Sequence, residues 1–195
     1  MSGGEKANGL GPDTLKERIA LAMAGSARGA RICEQLKEYG IGYVGWIADS
    51  ETYFLHVAMN EDPDLSVVQV CKEGEAVAVL AGLHLGGQRG ALLVENQGIF
   101  ECGNILKWAK GLKIPMVLLT GYLFYRFAES REDGIYINGE KDYTESFYRA
   151  FDIPYYIVDS DDSVSLVGEA CSVAFKTAQP VAVLLSSADE YEPGT

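Results

Sequence analysis

The chain has 195 residues, of which 48% are hydrophobic and 23% are charged, and this balance is typical of one globular domain with a substantial core. Acidic residues number 28 against 16 basic ones, so the net charge is -12, and the sequence shows no cluster of lysines and arginines. Without such a cluster, the main attraction to a phosphate backbone is missing. We therefore expect no nucleic-acid partner.

Cysteine and histidine usage argues against a metal site in this chain. The four cysteines are widely scattered with no C-x-x-C pair, and the two histidines are His56 and His84. The segment "MSGGEKANGLGPDT" lacks the apolar core of a signal peptide, and no apolar stretch is long enough to cross a bilayer. We expect a cytoplasmic protein with reduced thiols and no membrane contact.

The first predicted elements are a tail and a helical region. Residues 1–12 are rich in glycine and are predicted to form a flexible tail, which leaves 13–195 as one domain. Asp13 is a possible helix cap, and apolar residues then recur at helical spacing as far as Tyr39. The pattern predicts two helices, or one bent helix, ended by Gly40.

Short apolar runs then alternate with longer helical stretches. The runs are rich in β-branched residues and apolar on both faces, as expected for strands that are covered by helices on both sides. The intervening stretches are long enough for crossover helices, so we predict a doubly wound α/β fold with a mostly parallel, six-stranded sheet. The predicted strands are 41–47, 65–70, 90–95, 114–120, 153–159 and 179–186.

Residues 121–141 do not fit this alternation. The segment "GYLFYRFAESREDGIYINGEK" is longer and more mixed than an ordinary connection. Connections of this length in compact domains usually cover an active site or bind a ligand. We therefore predict a functional loop here.

Two glutamates follow the second predicted strand. Glu73 lies just past the end of that strand, in the first turn of the next helix, and Glu75 lies two residues further on. Ligands of open parallel sheets bind outside the carboxyl ends of the strands, so the position suits chemistry. The alternative is that both carboxylates only complement the helix dipole, which contributes roughly 0.3 to 1 kcal/mol.

The helix that begins at Glu73 is unusually apolar. Its sequence, "EGEAVAVLAGLHLGG", predicts a helix that is buried on all sides. In so small a domain, such burial indicates that part of the helix surface meets another chain. A carboxyl group near that interface would be poorly solvated and could bind a ligand nitrogen.

Three short motifs carry a family resemblance. Residues 48–50, Ala-Asp-Ser, form a turn after the first strand; Glu73 precedes Gly82 by nine residues; and "ALLVENQGIFECGN" contains the end of the third strand. Over about residues 30–185, the chain resembles the pyrimidine-binding domain of thiamine diphosphate-dependent 2-oxo acid decarboxylases, in the group of sulfopyruvate and phosphonopyruvate decarboxylases.

The resemblance implies a role for each matching residue. Glu73 is then the glutamate that activates the cofactor. Its carboxyl group, bonded to the ring nitrogen of the aminopyrimidine, favours the imino tautomer, which removes the proton from the reactive thiazolium carbon. Glu75 is its structural neighbour. The other residues implied to bind the cofactor are Asn96, Gly98 and Asn104.

The substrate side of the site departs from the family pattern. Gln97, Phe100 and Glu101 stand where the family has Ser, Gly and Asn, so an altered pocket wall is expected. Arg126 and Arg131 lie in the long loop, where a guanidinium could bind a carboxylate, sulfonate or phosphonate, or simply be solvated beside nearby acids. The aromatic stretch "GYLFYRF" indicates a larger or less charged substrate than sulfopyruvate. The residues expected to contact substrate are Asp49, Ser50, His56, Gln97, Phe100 and Arg126.

Simpler structural roles are open to several polar residues. Asp49 and Ser50 could cap the helix that follows them. His84 is expected to be a core histidine on the apolar helix. The acidic run 159–163 is expected to cap the last helix and to face solvent.

The resemblance also implies a second subunit. In the family, a Gly-Asp-Gly motif and a downstream Asn in a second α/β domain hold the diphosphate through Mg2+, and this chain has neither that motif nor the length for that domain. We therefore expect the alpha subunit of a heterotetramer, which shares thiamine diphosphate with a beta subunit that holds the metal, and which decarboxylates or ligates a 2-oxo acid. A non-catalytic α/β binding or assembly module and a flavodoxin-like binder are the alternatives, and the presence of Glu73 favours the enzyme.

Overall fold

The computed structural model describes residues 15–49, 52–122 and 140–186, with side chains described for 27–49, 52–122 and 143–186. Strands and helices alternate along the chain. The helices are α1 (Leu15–Glu38), α2 (Tyr53–Glu61), α3 (Glu73–Leu85), α4 (Asn96–Ile99), α5 (Gly103–Gly111), α6 (Glu140–Ala150) and α7 (Ser165–Thr177). The strands are β1 (Tyr43–Trp46), β2 (Ser66–Gln69), β3 (Gly90–Glu95), β4 (Met116–Gly121), β5 (Tyr155–Val158) and β6 (Pro180–Leu185).

The six strands form one sheet in the order β2-β1-β3-β4-β6-β5, and every pairing is parallel. The predicted doubly wound α/β fold is therefore confirmed. All six predicted strands are present, and β4 runs one residue beyond its predicted end.

Helices cover both faces of the sheet and form two separate cores. One core contains side chains from α1, α2 and α7, and the other contains side chains from α3, α5 and α6. β3 sends Ala91 and Leu93 into the first core and Leu92 and Val94 into the second. Because alternate side chains of a strand point to opposite faces, a strand between two helical layers has to be apolar along its whole length.

The edge strand β2 departs from that rule. Its first and last residues, Ser66 and Gln69, are exposed, and the two valines between them are only half-buried. The prediction that all six runs are apolar and covered on both faces is therefore wrong for β2, which has a neighbouring strand on one side only.

A single helix, α1, occupies the predicted N-terminal helical region. Gly40 follows it with a φ of +71°, the left-handed conformation that glycine adopts without steric cost. The amides of Gly40 and Ile41 donate to the carbonyl oxygens of Lys37 and Leu36, which caps the last turn. The predicted end of the helix at Gly40 is thus confirmed.

Two predicted segments lie outside the described residues. The glycine-rich tail, 1–12, is one of them. The other is most of the predicted functional loop, since β4 ends at Gly121, Tyr122 is buried directly after it, and the description resumes at the start of α6. Among the described helices, none combines the length and apolar character that a membrane span requires.

Candidate active site

The sheet topology creates a crevice at the start of α3. β1 pairs with β2 on one side and with β3 on the other, so the chain reverses its winding direction between β1 and β3. Ligands of doubly wound sheets bind at such a point, outside the carboxyl ends of the strands. α3 packs over β1 and β3, and Glu73 is its first residue. Since α3 follows the parallel strand β2, Glu73 lies at the carboxyl edge.

The Glu73 side chain lies against Gly98 of α4. A Cβ atom added to Gly98 would come within 2.6 Å of Glu73 Oε1 and 2.7 Å of Glu73 Cγ, which is closer than two non-bonded atoms can approach. The missing side chain at Gly98 therefore provides the recess that the Glu73 carboxyl group occupies. Two residues that the sequence predicts for one site, 25 positions apart, are in contact.

Glu75 has a different role from Glu73. It is exposed, and its Oε2 accepts a hydrogen bond from the backbone N–H of Cys71 at 3.1 Å. A glutamate in the first turn that reaches back to an amide before the helix supplies a partner that the helix cannot provide itself. This contact supports the structural role expected for Glu75.

Asn96 is completely buried at the start of α4. Its Nδ2 donates to the hydroxyl oxygen of Thr144 on α6 at 3.1 Å. Its Oδ1 is buried as well and has no hydrogen-bond partner among the described residues. Nearly all buried polar atoms in folded proteins have a partner, so this oxygen is an acceptor open to a group that the described residues do not supply.

A buried thiol contacts α4, the short helix that contains Asn96 and Gly98. Cys102 is fully buried, and its Sγ donates to the carbonyl oxygen of Gly98 at 3.8 Å. Burial raises the pKa of this thiol to about 12, and the nearby charges of Glu73 and Glu101 raise it in the same direction. Cys102 therefore stays protonated at neutral pH and acts as packing beneath the Glu73 recess.

Asp49 binds Thr52, the residue that precedes α2. Its carboxylate accepts hydrogen bonds from the backbone N–H and the hydroxyl group of Thr52, both at 2.6 Å. The N-cap residue of α2 is Thr52 and the helix has no side-chain cap hydrogen bond, so the helix-cap alternative is not seen for Asp49; Ser50 lies outside the described residues.

His56 stacks on the indole of Trp46, with ring centroids 3.5 Å apart and planes 12° from parallel. Burial lowers the pKa of His56, and the charge of Asp49 partly opposes that shift. Trp46 belongs to the core that contains α1, α2 and α7, so this pair lies on the face of the sheet opposite to α3. His56 Nδ1 and Trp46 Nε1 are buried and have no partner among the described residues.

Three more predicted residues lie in the short helical segments that follow β3. Gln97 is exposed on α4, and Asn104 is exposed in the first turn of α5. Phe100 is 38% exposed and meets Phe147 of α6 edge-on, with ring centroids 5.6 Å apart.

His84, in the last turn of α3, is half-buried rather than a fully buried core residue. Arg126 and Arg131 lie outside the described residues, which contain no group of three or more metal-ligating side chains.

The apolar helix α3 is only partly covered. Ala76, Val77 and Leu80 are buried, whereas Ala78 and Leu85 are exposed, Leu85 by 80%. This chain by itself does not bury α3 on all sides, and the coverage by another chain that the sequence indicates stays a prediction. An apolar helix face of this kind is what an interface with another chain would cover.

Comparison with known proteins finds chains that are similar in sequence. No family model matches the chain. Sulfopyruvate decarboxylase subunit alpha of Methanococcus maripaludis is 27% identical over 134 residues, which cover 66% of this chain and 76% of that protein. The chain is similar to this subunit. Sulfopyruvate decarboxylase subunit alpha of Methanocaldococcus jannaschii is 26% identical over 161 residues, 80% of this chain and 91% of that protein.

The similarity confirms the resemblance that the motifs indicated, to a decarboxylase alpha subunit. A third relative, sulfopyruvate decarboxylase subunit alpha of Methanothermobacter thermautotrophicus, is 26% identical over 132 residues. Each of these proteins is by name one subunit of a decarboxylase.

Proposed function

We propose that this chain is the alpha subunit of a split, thiamine diphosphate-dependent enzyme that decarboxylates a 2-oxo acid, and that Glu73 activates the cofactor. The observation that carries the proposal is the position of the Glu73 carboxyl group in the Gly98 recess, at the carboxyl edge between β1 and β3. A carboxylate that served only the helix dipole would have no need of a recess formed by a missing side chain. The names of the relatives support a decarboxylase subunit.

The described residues fit the aminopyrimidine end of thiamine diphosphate. That ring presents a nitrogen that pairs with a carboxyl group and an amino group that donates hydrogen bonds. Glu73 supplies the carboxyl group, and the unpartnered, buried Asn96 Oδ1 is an acceptor for an N–H donor. The recess at Gly98 keeps Glu73 close to the strand ends.

When bound, thiamine diphosphate supplies the nucleophilic carbon that attacks the ketone of a 2-oxo acid and the electron sink that permits loss of carbon dioxide. The part of this chain is to bind the aminopyrimidine and to hold a proton between Glu73 Oε1 or Oε2 and its ring nitrogen. Aspartate at position 73 has one methylene fewer, so its carboxyl group would not extend as far into the recess at Gly98. Asn96 orients the ring, and the buried Cys102 thiol contributes packing that excludes water.

The partner is proposed to be a beta subunit with the diphosphate-binding domain and its Mg2+ site. The exposed stripe of α3, formed by Glu75, Ala78, Gly82 and Leu85, begins at the same end of the helix as Glu73, so an interface there would enclose the cofactor between the two chains. A heterotetramer follows if two such pairs associate. The subunit designation of the relatives supports the existence of a partner.

The substrate is proposed to be a 2-oxo acid that is larger or less charged than sulfopyruvate. Phe100 replaces the family's glycine, and its ring is held by Phe147, which in turn packs on Phe151 at 4.7 Å between centroids. An aromatic wall of this kind favours an apolar or aromatic side chain on the 2-oxo acid through burial of apolar surface.

The test compares Glu73→Gln with Glu75→Gln in the complex purified through a tag on this chain. Carbon dioxide release is measured with a panel of 2-oxo acids, thiamine diphosphate and Mg2+. Glu73→Gln is expected to lower turnover by about 10²- to 10⁴-fold with assembly intact, because an amide cannot exchange the proton. Glu75→Gln keeps an acceptor oxygen for Cys71 N–H and is expected to be nearly normal. Equal losses in the two variants would overturn the assignment.

A further inference from the structure

Two fully buried side chains join α6 to α4, the short helix whose Gly98 forms the recess for the Glu73 side chain. Thr144 on α6 and Asn96 at the start of α4 are both fully buried, and Asn96 Nδ2 donates to Thr144 Oγ1 at 3.1 Å. The two residues are 48 positions apart in the sequence, so the contact exists only because α6 packs against α4. A hydrogen bond shielded from water holds its partners firmly, because no solvent molecule competes for either atom.

Asn96 and Gly98 belong to the same short helix. α4 has four residues, and a displacement at Asn96 therefore moves Gly98 and the recess that Glu73 occupies. The hydrogen bond also decides which end of the Asn96 amide remains open. Because Nδ2 is engaged by Thr144, Oδ1 is the atom left without a partner among the described residues, and it can accept but not donate.

We propose that Thr144 is a positioning residue, which orients the Asn96 amide and fixes the start of α4, so that Oδ1 and Glu73 meet one ligand ring together. This inference rests on the proposed function and adds a residue to it. The family resemblance does not include Thr144. Its contribution is to the binding of the aminopyrimidine, through Asn96, without a contact of its own to the ligand.

The same helix offers a matched control one turn further on. The hydroxyl of Tyr148 forms a hydrogen bond of 2.6 Å with Thr120 Oγ1 of β4. Tyr148 is as deeply buried as Thr144, and both bonds tie α6 to the carboxyl edge of the sheet. Tyr148→Phe therefore removes a buried hydrogen bond of α6 and leaves the Asn96–Thr144 pair in place.

The test measures binding of thiamine diphosphate by equilibrium dialysis, with Mg2+ present, to the complex purified through a tag on this chain. Thr144→Val, which keeps the shape and removes the hydroxyl, is expected to weaken binding about tenfold. Thr144→Ser restores the hydroxyl and is expected to bind within about twofold of the unsubstituted complex, as is Tyr148→Phe. The combination of Asn96→Ala and Thr144→Val is expected to bind no more weakly than Asn96→Ala alone, because one residue acts through the other.

The inference is overturned if Thr144→Val binds as tightly as the unsubstituted complex, if Tyr148→Phe weakens binding equally, or if the two losses in the double variant add. If Thr144→Val does not assemble, Thr144→Ala is read against the same control and the same criteria. An unsubstituted complex that does not bind thiamine diphosphate overturns the proposed function itself. That outcome is distinct from one in which the complex binds the cofactor and Thr144 has no effect.

Discussion

Gly98 gives Glu73 its position because it has no side chain. A methyl group there would lie 2.6 Å from Glu73 Oε1 and 2.8 Å from Val94 Cγ2, and Val94 is itself fully buried in the central sheet and cannot move aside. The mobile partner is the Glu73 side chain, so a larger residue at position 98 would displace the carboxyl group from the crevice.

Gly98→Ala is accordingly expected to abolish most turnover of the assembled enzyme and to lower the free energy of unfolding by about 1 to 3 kcal/mol, since overpacking in a filled region is destabilising. Turnover by carbon dioxide release and urea denaturation of the isolated chain measure the two effects. Gly111→Ala is the control, because a Cβ at Gly111 meets nothing within 4 Å. A Gly98→Ala enzyme with normal turnover would contradict the role of the recess.

At the residue scale, the sequence predicts the main pair of the site and misses the residues that support it. The spacing of Glu73 and the glycine-containing turn after β3 identifies two residues that are in contact in the structure. Thr144 and Cys102 give no signal in the sequence, because a threonine in a helix is ordinarily a surface residue and an isolated cysteine is ordinarily a core residue. Their roles arise from the packing of α6 and the turn against α4, which depends on contacts that are distant in sequence.

At the element scale, α3 begins with the proposed cofactor-activating residue, Glu73, and has an exposed face. The exposed positions Glu75, Ala78, Gly82 and Leu85 follow one stripe of the helix, and a Cβ at Gly82 would meet nothing within 4 Å. Glycine within a helix costs roughly 0.5 to 1 kcal/mol relative to alanine. Gly82 is therefore unfavourable for the chain alone, which is explicable if another chain approaches the helix closely at that point.

Gly82→Ala separates these two effects. The isolated chain is expected to gain about 0.5 to 1 kcal/mol in the free energy of unfolding, from helix propensity, as measured by urea denaturation. The assembled complex is expected to dissociate at a higher protein concentration than the unsubstituted one, because the added methyl group obstructs a close contact. Unchanged dissociation by analytical ultracentrifugation would show that this face of α3 is not part of the interface.

The elements themselves are predictable because their patterns are strong. The central strands β4 and β6 are buried along their whole length, and β3 is buried up to its last residue. A short run of apolar residues bounded by turn residues is typical of such strands. The edge strand β2 is also predicted as a strand, but its exposure is not. Its position at the edge follows from the pairing order of the sheet, which local sequence does not encode.

At the scale of the whole molecule, three buried thiols are expected to make the free energy of unfolding fall at alkaline pH. Burial raises the pKa of Cys33, Cys102 and Cys171 from 9.0 to about 12. Below about pH 9 these thiols are protonated in both the folded and the unfolded chain, so their contribution is fully present. Between about pH 9 and pH 12 the unfolded chain releases protons that the folded chain retains, and the free energy of unfolding falls as the pH rises.

The urea midpoint of the isolated chain is therefore expected to be lower at about pH 10 than at about pH 7.5. Cys171→Ala is expected to flatten this dependence, because one of the three contributing groups is removed. Cys71→Ala is the control, since Cys71 is exposed, and it is expected to leave the pH dependence unchanged. A midpoint that is constant over this range would contradict the account of the buried thiols.

At the same scale, the proposal makes this chain one of two subunits that complete the site. Glu73 lies at the carboxyl edge of the sheet, and the exposed stripe of α3 runs from Glu75 to Leu85. The similarity to sulfopyruvate decarboxylase alpha subunits is predictable from the motifs around Glu73 and Asn96. The substrate is not, because Arg126, one of the residues expected to contact it, lies outside the described residues, and because Phe100 stands where the family has glycine.

The measurement that tests the central claim most directly is native mass spectrometry of this chain, purified through an affinity tag from its own cells in a buffer that contains thiamine diphosphate and Mg2+. We expect a complex with a second polypeptide of similar size, in which each pair of chains carries one cofactor molecule, and loss of turnover but not of assembly in the Glu73→Gln variant. A cofactor-free monomer or homo-oligomer would contradict the account, and Glu73 would then be a helix-end charge in a binding module.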